Sequence, residues 1–213
     1  MDVLNTADML RLLREKLAPM ELAETLVDAA EGLHPQALKA AVLLPLFEQQ
    51  NELHLAFIRR AATLRSHSGQ IAFPGGKKDP DDLFPVMTAL REAQEEIGLD
   101  PQRAEILGVL PPVFTVVSNY LITPVVAFLP RGLGPLRLQT SEVTELIVAS
   151  VRGLADPAIA YTEQWSRHDI IRTVYFYHYG PYQIWGATGR ILSLLLATLG
   201  LGNHKANEPI DRY

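Results

Sequence analysis

Arg91-Glu92-Ala93-Gln94-Glu95-Glu96-Ile97-Gly98-Leu99 is the stretch of this 213-residue sequence that says most about the fold. Glu92, Glu95 and Glu96 stand at i, i+3 and i+4, which puts all three on one side of an α-helix. Val86, Leu90, Ala93 and Ile97 repeat at helical spacing and form an apolar stripe roughly opposite. The spacing predicts a helix from about Phe84 to Ile97. Pro85 suits its first turn, where a missing N–H is no loss, and Gly98 suits its C-terminal stop. Like charges at neighbouring helical positions oppose folding by roughly 0.2–0.5 kcal/mol per pair, and by more where water is excluded. Arg91 is the one counter-charge within a turn. A bound cation is the simplest relief, and carboxylates are hard oxygen ligands suited to Mg²⁺ or Mn²⁺ rather than to a zinc site. Taken alone, a solvated acidic helix face would give the same pattern.

Upstream of this helix, Gln70 to Phe73 reads as a short strand running into Pro74-Gly75-Gly76. The two glycines let backbone approach the acidic cluster closely. A polar loop, Lys77 to Asp82, leads into the helix. Ala40 to Phe47 and Leu53 to Ile58 read as strands joined by the polar turn Glu48 to Asn51. Ala104 to Leu110, Leu121 to Phe128 and Ile170 to His178 add further strands. Ser150 to Leu154 suggests a short helix and Gly186 to Leu199 a terminal one. Strands and helices mix without strict βαβ alternation, which predicts an α+β fold with a mixed β-sheet between helices. Residues 1–34 read as an N-terminal helical arm broken at Pro19, residues 35–202 as the main domain, and residues 203–213 as a polar tail. The arm reads equally as a homodimer or lid element and as a helix pair packed on its own domain.

Hydrophobic residues make up 48% of the chain, so a sizeable core can be buried. The net charge of −5 gives no reason to expect a nucleic-acid polymer as partner. The absence of cysteine excludes disulfides, thiolate metal sites and a cysteine nucleophile. The start, MDVLNTADMLRLLREKLAP, interleaves charge with leucine, unlike a signal peptide. No stretch reaches the roughly 20 apolar residues of a membrane helix. A soluble cytoplasmic protein acting on a small molecule is expected.

From Gly76 to Leu99 the sequence resembles the Nudix box, G-x5-E-x7-R-E-U-x-E-E-x-G-U, where U is a bulky apolar residue. Arg91, Glu92, Glu95, Glu96 and Gly98 match its fixed half. Five such residues, each at roughly 6% usage, coincide by chance on the order of once in 10⁴ chains of this length. There are departures. Asp82 stands where the box has glutamate, eight residues rather than seven separate it from Arg91, and Ala93 is small where the box is bulky. The resemblance implies a Nudix-like fold and a metal-dependent pyrophosphatase. Its metal would be held by Glu92, Glu95, Glu96 and the Gly75 carbonyl, and Arg91 would orient a box carboxylate.

A second resemblance covers Leu64-Arg65-Ser66-His67-Ser68-Gly69-Gln70-Ile71-Ala72-Phe73-Pro74-Gly75-Gly76. It is similar to the extra signature of the coenzyme A pyrophosphatase branch, which also carries the stretched loop. Pro111 to Thr115, Ser118 to Tyr120, Pro124 to Val126 and Ile184 to Thr188 extend the likeness over residues 38–195. Ala61 departs from the serine usual there. The resemblance implies hydrolysis of coenzyme A to 3′,5′-ADP and 4′-phosphopantetheine. Arg59, Arg60, Arg65, Lys77 and Lys78 are candidates to meet phosphates, with His67 and Gln70 at the substrate or ordering the loop.

A carboxylate would accept the proton of the attacking water. Beyond the box, Glu142 and Glu145 are the nearest candidates, with Glu163 and His168 further along. Two other readings stand beside this one. The substrate could be ADP-ribose, a dinucleotide or a damaged nucleotide, or the chain could be a non-catalytic nucleotide-sensing module.

Overall fold

The computed structural model describes residues 4–62, 69–167, 170–202 and 205–206. Strand β1 (Leu38–Gln49) is the axis of the main sheet. On one side it pairs in parallel with β7 (Tyr120–Phe128), which in turn pairs with β5 (Glu105–Val109) and β6 (Val113–Thr115). On the other side β1 splits its partners. Its C-terminal end pairs antiparallel with β2 (Glu52–Arg60), and its N-terminal end with β4 (Gly75–Lys77). The segment before β4 pairs first with β2, as β3 (Ile71–Ala72), and then passes Pro74 to join β1. β8 (Val143–Ser150) completes the sheet on β2.

The β1–β2 connection is a two-residue turn. Gln50 and Asn51 both take positive φ, 52° and 61°. That geometry matches the twist of the two strands, and asparagine tolerates it better than glutamine. The close approach at β4 depends on glycine, since a Cβ at Gly75 would stand 2.6 Å from the Val42 Cα.

Alternation along the strands sends side chains to two faces. Leu44, Leu46, Leu55 and Phe57 join one apolar cluster, and Leu43, Phe47, Ala56 and Ile58 join the other. The second face is covered by α3 (Val86–Ile97), through the fully buried Ala89, Ala93 and Ile97. The first face is covered by α1 (Thr6–Lys16), α4 (Val151–Leu154) and α5 (Gly186–Thr198). A smaller sheet also packs there, ordered β11 (Tyr182–Ile184), β10 (Ile170–Tyr179), β9 (Ala160–Arg167), β12 (Lys205–Ala206). The mixed sheet between helices is the α+β architecture expected.

The N-terminal helices straddle the sheet. α1 is capped by the Asn5 side chain on the Asp8 amide at 2.9 Å, and it buries Met9, Leu10 and Leu13 in the first cluster. The chain then crosses the edge, where Ala18 and Val109 exchange backbone hydrogen bonds at 3.2 and 3.0 Å. α2 (Ala23–Leu33) places Ala23 in the opposite cluster. Five strands had no counterpart in the sequence reading: β6, β8, β9, β11 and β12, the last lying in the stretch read as a polar tail. Gly75 to Lys77, read as the start of a loop, is strand β4.

Candidate active site

Helix α3 begins at Val86 after Pro85 and ends at Gly98, whose φ of 70° is the left-handed stop expected of glycine. Its carboxylates are not equally open, although the sequence placed them on one exposed side. The Glu95 side chain is 60% exposed, that of Glu92 17% and that of Glu96 only 3%. The helix sits close to the β1–β4 ladder because Ala89 and Ala93 are small, and this closeness draws Glu96 into the fold.

Glu96 meets two donors there. The Gly75 amide donates to Oε2 at 2.9 Å, and Arg60 approaches Oε1 at 3.4 Å. Burial nevertheless pushes the Glu96 carboxyl up to about 7, with the charges of Glu92 and Glu142 adding to the rise. Glu92 is likewise raised, first by burial, with Glu95 and Glu142 contributing against the pull of Arg91. Its carboxylate lies over Gly76 of β4 so closely that any Cβ at that position would overlap it.

Arg91 ties the loop to the helix. It reaches Asp82 at 3.1 Å, Glu92 at 3.0 Å, Glu95 at 3.2 Å and the Lys77 carbonyl at 3.0 Å. Asp82 raises the guanidinium pKa most, so Arg91 stays charged. Asp82 is buried and also accepts from the Thr88 hydroxyl at 2.9 Å and the Asp79 amide at 3.0 Å. Burial alone would raise Asp82, but these donors outweigh it and hold its carboxyl below the usual range. Asp82 thus anchors the loop, and Asp79 stands more loosely, 3.7 Å from Arg91.

The Nudix domain family profile matches residues 37–168. This chain belongs to the Nudix family. A Nudix hydrolase from Photorhabdus laumondii, NudL, described as uncharacterized, is 40% identical over 156 residues, covering 73% of this chain and 82% of the relative. NudL of Salmonella paratyphi B is 38% identical over 168 residues, 76% of this chain and 83% of its own. Among solved structures, an Ap4A hydrolase from C. elegans overlays 54% of this chain and 81% of its own, at 18% identity and a TM-score of 0.45. On the family match and the NudL relatives, the chain is a Nudix hydrolase, an enzyme that cleaves phosphoric anhydrides in small-molecule substrates. Nudix hydrolases generally use divalent metals.

The Nudix carboxylates suit such an ion. Among the described residues, no three acidic or histidine side chains already enclose an ion site. Arg91 instead engages Glu92 and Glu95. Yet Glu96, buried beside two like charges, is held near neutrality by what surrounds it, and a cation would relieve all three.

The two candidate bases separate clearly. Glu142 precedes β8, and its carbonyl accepts from the Ala61 amide at 2.7 Å. Its charge is felt by both Glu92 and Glu96. Glu145 is opposite Arg59 in the β2–β8 ladder. It accepts from the Tyr182 hydroxyl and lies 3.7 Å from Arg59. Glu163 is buried and accepts from the Trp165 indole at 2.7 Å.

The Nudix domain's arginines part in the same way. Arg60 faces Glu96, while Arg59 lines a cleft of about 310 Å³ that also contains Gln70, Tyr182 and Trp185. Lys77 is exposed and stands 5.8 Å from the Tyr120 ring centre. Lys78 points its ammonium at the Asp79 carbonyl, 3.4 Å away. Arg65, His67 and His168 lie outside the described residues. Tyr182 escaped the sequence reading, because nothing in Pro181-Tyr182 signals that this hydroxyl would meet Glu145 across the fold. Among the described residues, no helix is long and apolar enough to cross a membrane.

Proposed function

We propose that this enzyme hydrolyses the diphosphate of coenzyme A or a derivative, releasing 3′,5′-ADP and 4′-phosphopantetheine. The observation that carries the reaction is the approach of Glu92 and Glu96 to the Gly75–Gly76 backbone of β4, where both also feel the charge of Glu142. The substrate rests on the likeness of residues 64–76 to the coenzyme A branch, since that segment runs directly into β4 beside the carboxylates. The reading makes it a cytoplasmic enzyme.

Glu92, Glu95, Glu96 and the Gly75 carbonyl would hold Mg²⁺ or Mn²⁺. When bound, such an ion neutralises phosphate oxygens and acidifies a water. Arg91, fixed by Asp82, keeps Glu92 and Glu95 oriented, and Arg60 offers positive charge beside Glu96. Glu142 accepts the proton as the water oxygen bonds to one phosphorus. The bridging oxygen leaves with the other phosphate. Arg59, Arg65, His67, Gln70 and Lys77 complete the substrate contacts.

The test is a panel of coenzyme A, its disulfide and acyl forms, ADP-ribose, NADH and nucleoside triphosphates, incubated with Mg²⁺ or Mn²⁺, with products identified by mass. Preferential release of 3′,5′-ADP is expected. Faster turnover of any other member would overturn the substrate, and no turnover at all would overturn the reaction.

A further inference from the structure

The Nudix profile ends at residue 168, but one wall of the cleft beside β2 and β3 is built from residues beyond it. Arg59 and Gln70 belong to the near wall, and Tyr182, Gln183 and Trp185 to the far one. At about 310 Å³ the cleft lies at the low end of ligand pockets, roughly 300–1,000 Å³. It suits one nucleotide rather than a whole dinucleotide-sized molecule.

Strand alternation explains how consecutive arginines reach two places. Arg60 follows Ile58 onto the α3 face and meets Glu96. Arg59 follows Phe57 onto the other face and enters the cleft. Its side chain is half exposed, and its ion pair with Glu145 is long at 3.7 Å. Glu145 is shared with the Tyr182 hydroxyl, so the guanidinium keeps donors for an incoming anion. Trp185 packs against two other aromatic rings. Its ring is 6.0 Å from Phe176 with planes 2° apart, and 5.9 Å from Trp165. A held aromatic ring, a guanidinium and two amides are the groups that recognise a base and a phosphate monoester together. The near wall at Gly69 to Ile71 continues through Pro74 to Gly75, whose amide binds Glu96, so one short segment links cleft and carboxylates.

We infer that this cleft holds the nucleoside half of the substrate, with Arg59 on a ribose phosphate monoester and Trp185 against the base. The assignment rests on the coenzyme A reading, and it makes the C-terminal hairpin a specificity element. Calorimetric binding of 3′,5′-ADP and AMP to the full chain tests it without turnover, with coenzyme A and dephospho-coenzyme A kinetics alongside. Wild type is expected to bind 3′,5′-ADP about tenfold more tightly than AMP, the worth of one charge-assisted contact. Arg59→Gln removes that preference and raises KM for coenzyme A more than for dephospho-coenzyme A. Trp185→Phe, which keeps an aromatic ring in the cluster, weakens both nucleotides by a similar factor. Loss of neither preference nor affinity in these variants overturns the assignment, as does a wild type that binds both nucleotides equally. If no diphosphate is hydrolysed but the Arg59-dependent preference is present, the proposed reaction fails and the cleft stands. If coenzyme A is hydrolysed and Arg59→Gln keeps the preference, the reverse holds.

Discussion

The loop and helix from Gly75 to Gly98 and the small sheet from Ala160 to Ile184 are built on opposite principles. In the first, charge is held by neighbours in sequence: Arg91 clamps Asp82, Glu92, Glu95 and the Lys77 carbonyl within one short segment. In the second, aromatic rings stack across strands, Tyr161 on Phe176 and Phe176 on Trp185, and the polar contacts bridge distant parts of the chain. The carboxylate helix and its loop are thus held by local spacing, whereas the proposed recognition cleft is assembled over distance. Changes in the first region should act on turnover, and changes in the second on affinity.

The sharpest way to break this division is Glu96→Gln. In the proposed mechanism this removes a ligand of the cation that neutralises the transferring phosphate, an effect worth several kcal/mol, so kcat should fall on the order of 10³-fold. The fold should survive, because the variant keeps the size of the side chain and removes a buried charge. Glu95→Gln should likewise lose most turnover with the fold intact. Steady-state kinetics and thermal melts decide. Near-normal turnover in either variant would remove this carboxylate cluster as the reacting centre.

Proton linkage gives a second test, confined to the first region. With metal chelated, unfolded Glu96 titrates near 4.5, while the folded protein keeps its proton up to about 7. Between those values the folded state holds a proton that the unfolded state has lost. Stability therefore falls as pH rises from about 4.5 to 7, by an amount on the order of 3 kcal/mol. Asp82 works the other way. Its lowered folded value stabilises the protein above pH 3.8, and that gain is lost as pH falls through the folded value. Urea unfolding with a chelator should show greatest stability near pH 4–5. Glu96→Gln should flatten the decline towards neutrality, and added Mn²⁺ should offset it in wild type. A wild-type profile that rises steadily from pH 5 to 8 would contradict the burial of this charge.

Much of this asymmetry was legible in the sequence, and what was not has physical reasons. Gly98 and the i, i+3, i+4 glutamates announced α3 because helix stops and faces depend on local geometry. That Glu96 is buried and Glu95 open depended on how closely α3 meets β4, which spacing on one helix does not encode. Strand β8 was missed because Glu145 interrupts the alternation of its buried Val143, Ile147 and Ala149. β9 was missed because it buries Thr162 and Glu163, polar residues that read as loop. The turn after β1 was legible at Glu48 to Asn51, but its positive φ angles were not, because Gln50-Asn51 lacks the glycine that usually marks such a pair. Glu142 and Glu145 looked alike in sequence, and only the strand register separates them.

That separation supplies the third test. Glu142→Gln should lower kcat about 10²-fold, the lower end for removal of a general base, and should flatten the rise of kcat with pH. Glu145→Gln should leave most of kcat in place, since its carboxylate is engaged by Tyr182 and Arg59. The opposite ranking would move the proton acceptor into the cleft and merge the two regions into one.

The smallest expected effect comes from Tyr182→Phe, which deletes one hydroxyl at the boundary between the regions. Without that donor, Glu145 turns its full charge on Arg59 and competes with the substrate's phosphate for the guanidinium. KM for coenzyme A should rise roughly threefold, the scale of one modest hydrogen bond. KM for dephospho-coenzyme A should move less, and kcat should barely change, because the Tyr182 hydroxyl meets Glu145 at the cleft rather than the carboxylates of α3. A fall in kcat with KM constant would show that the second sheet reaches into the chemistry, and the contrast between a local reacting centre and a distant recognition surface would have to be abandoned.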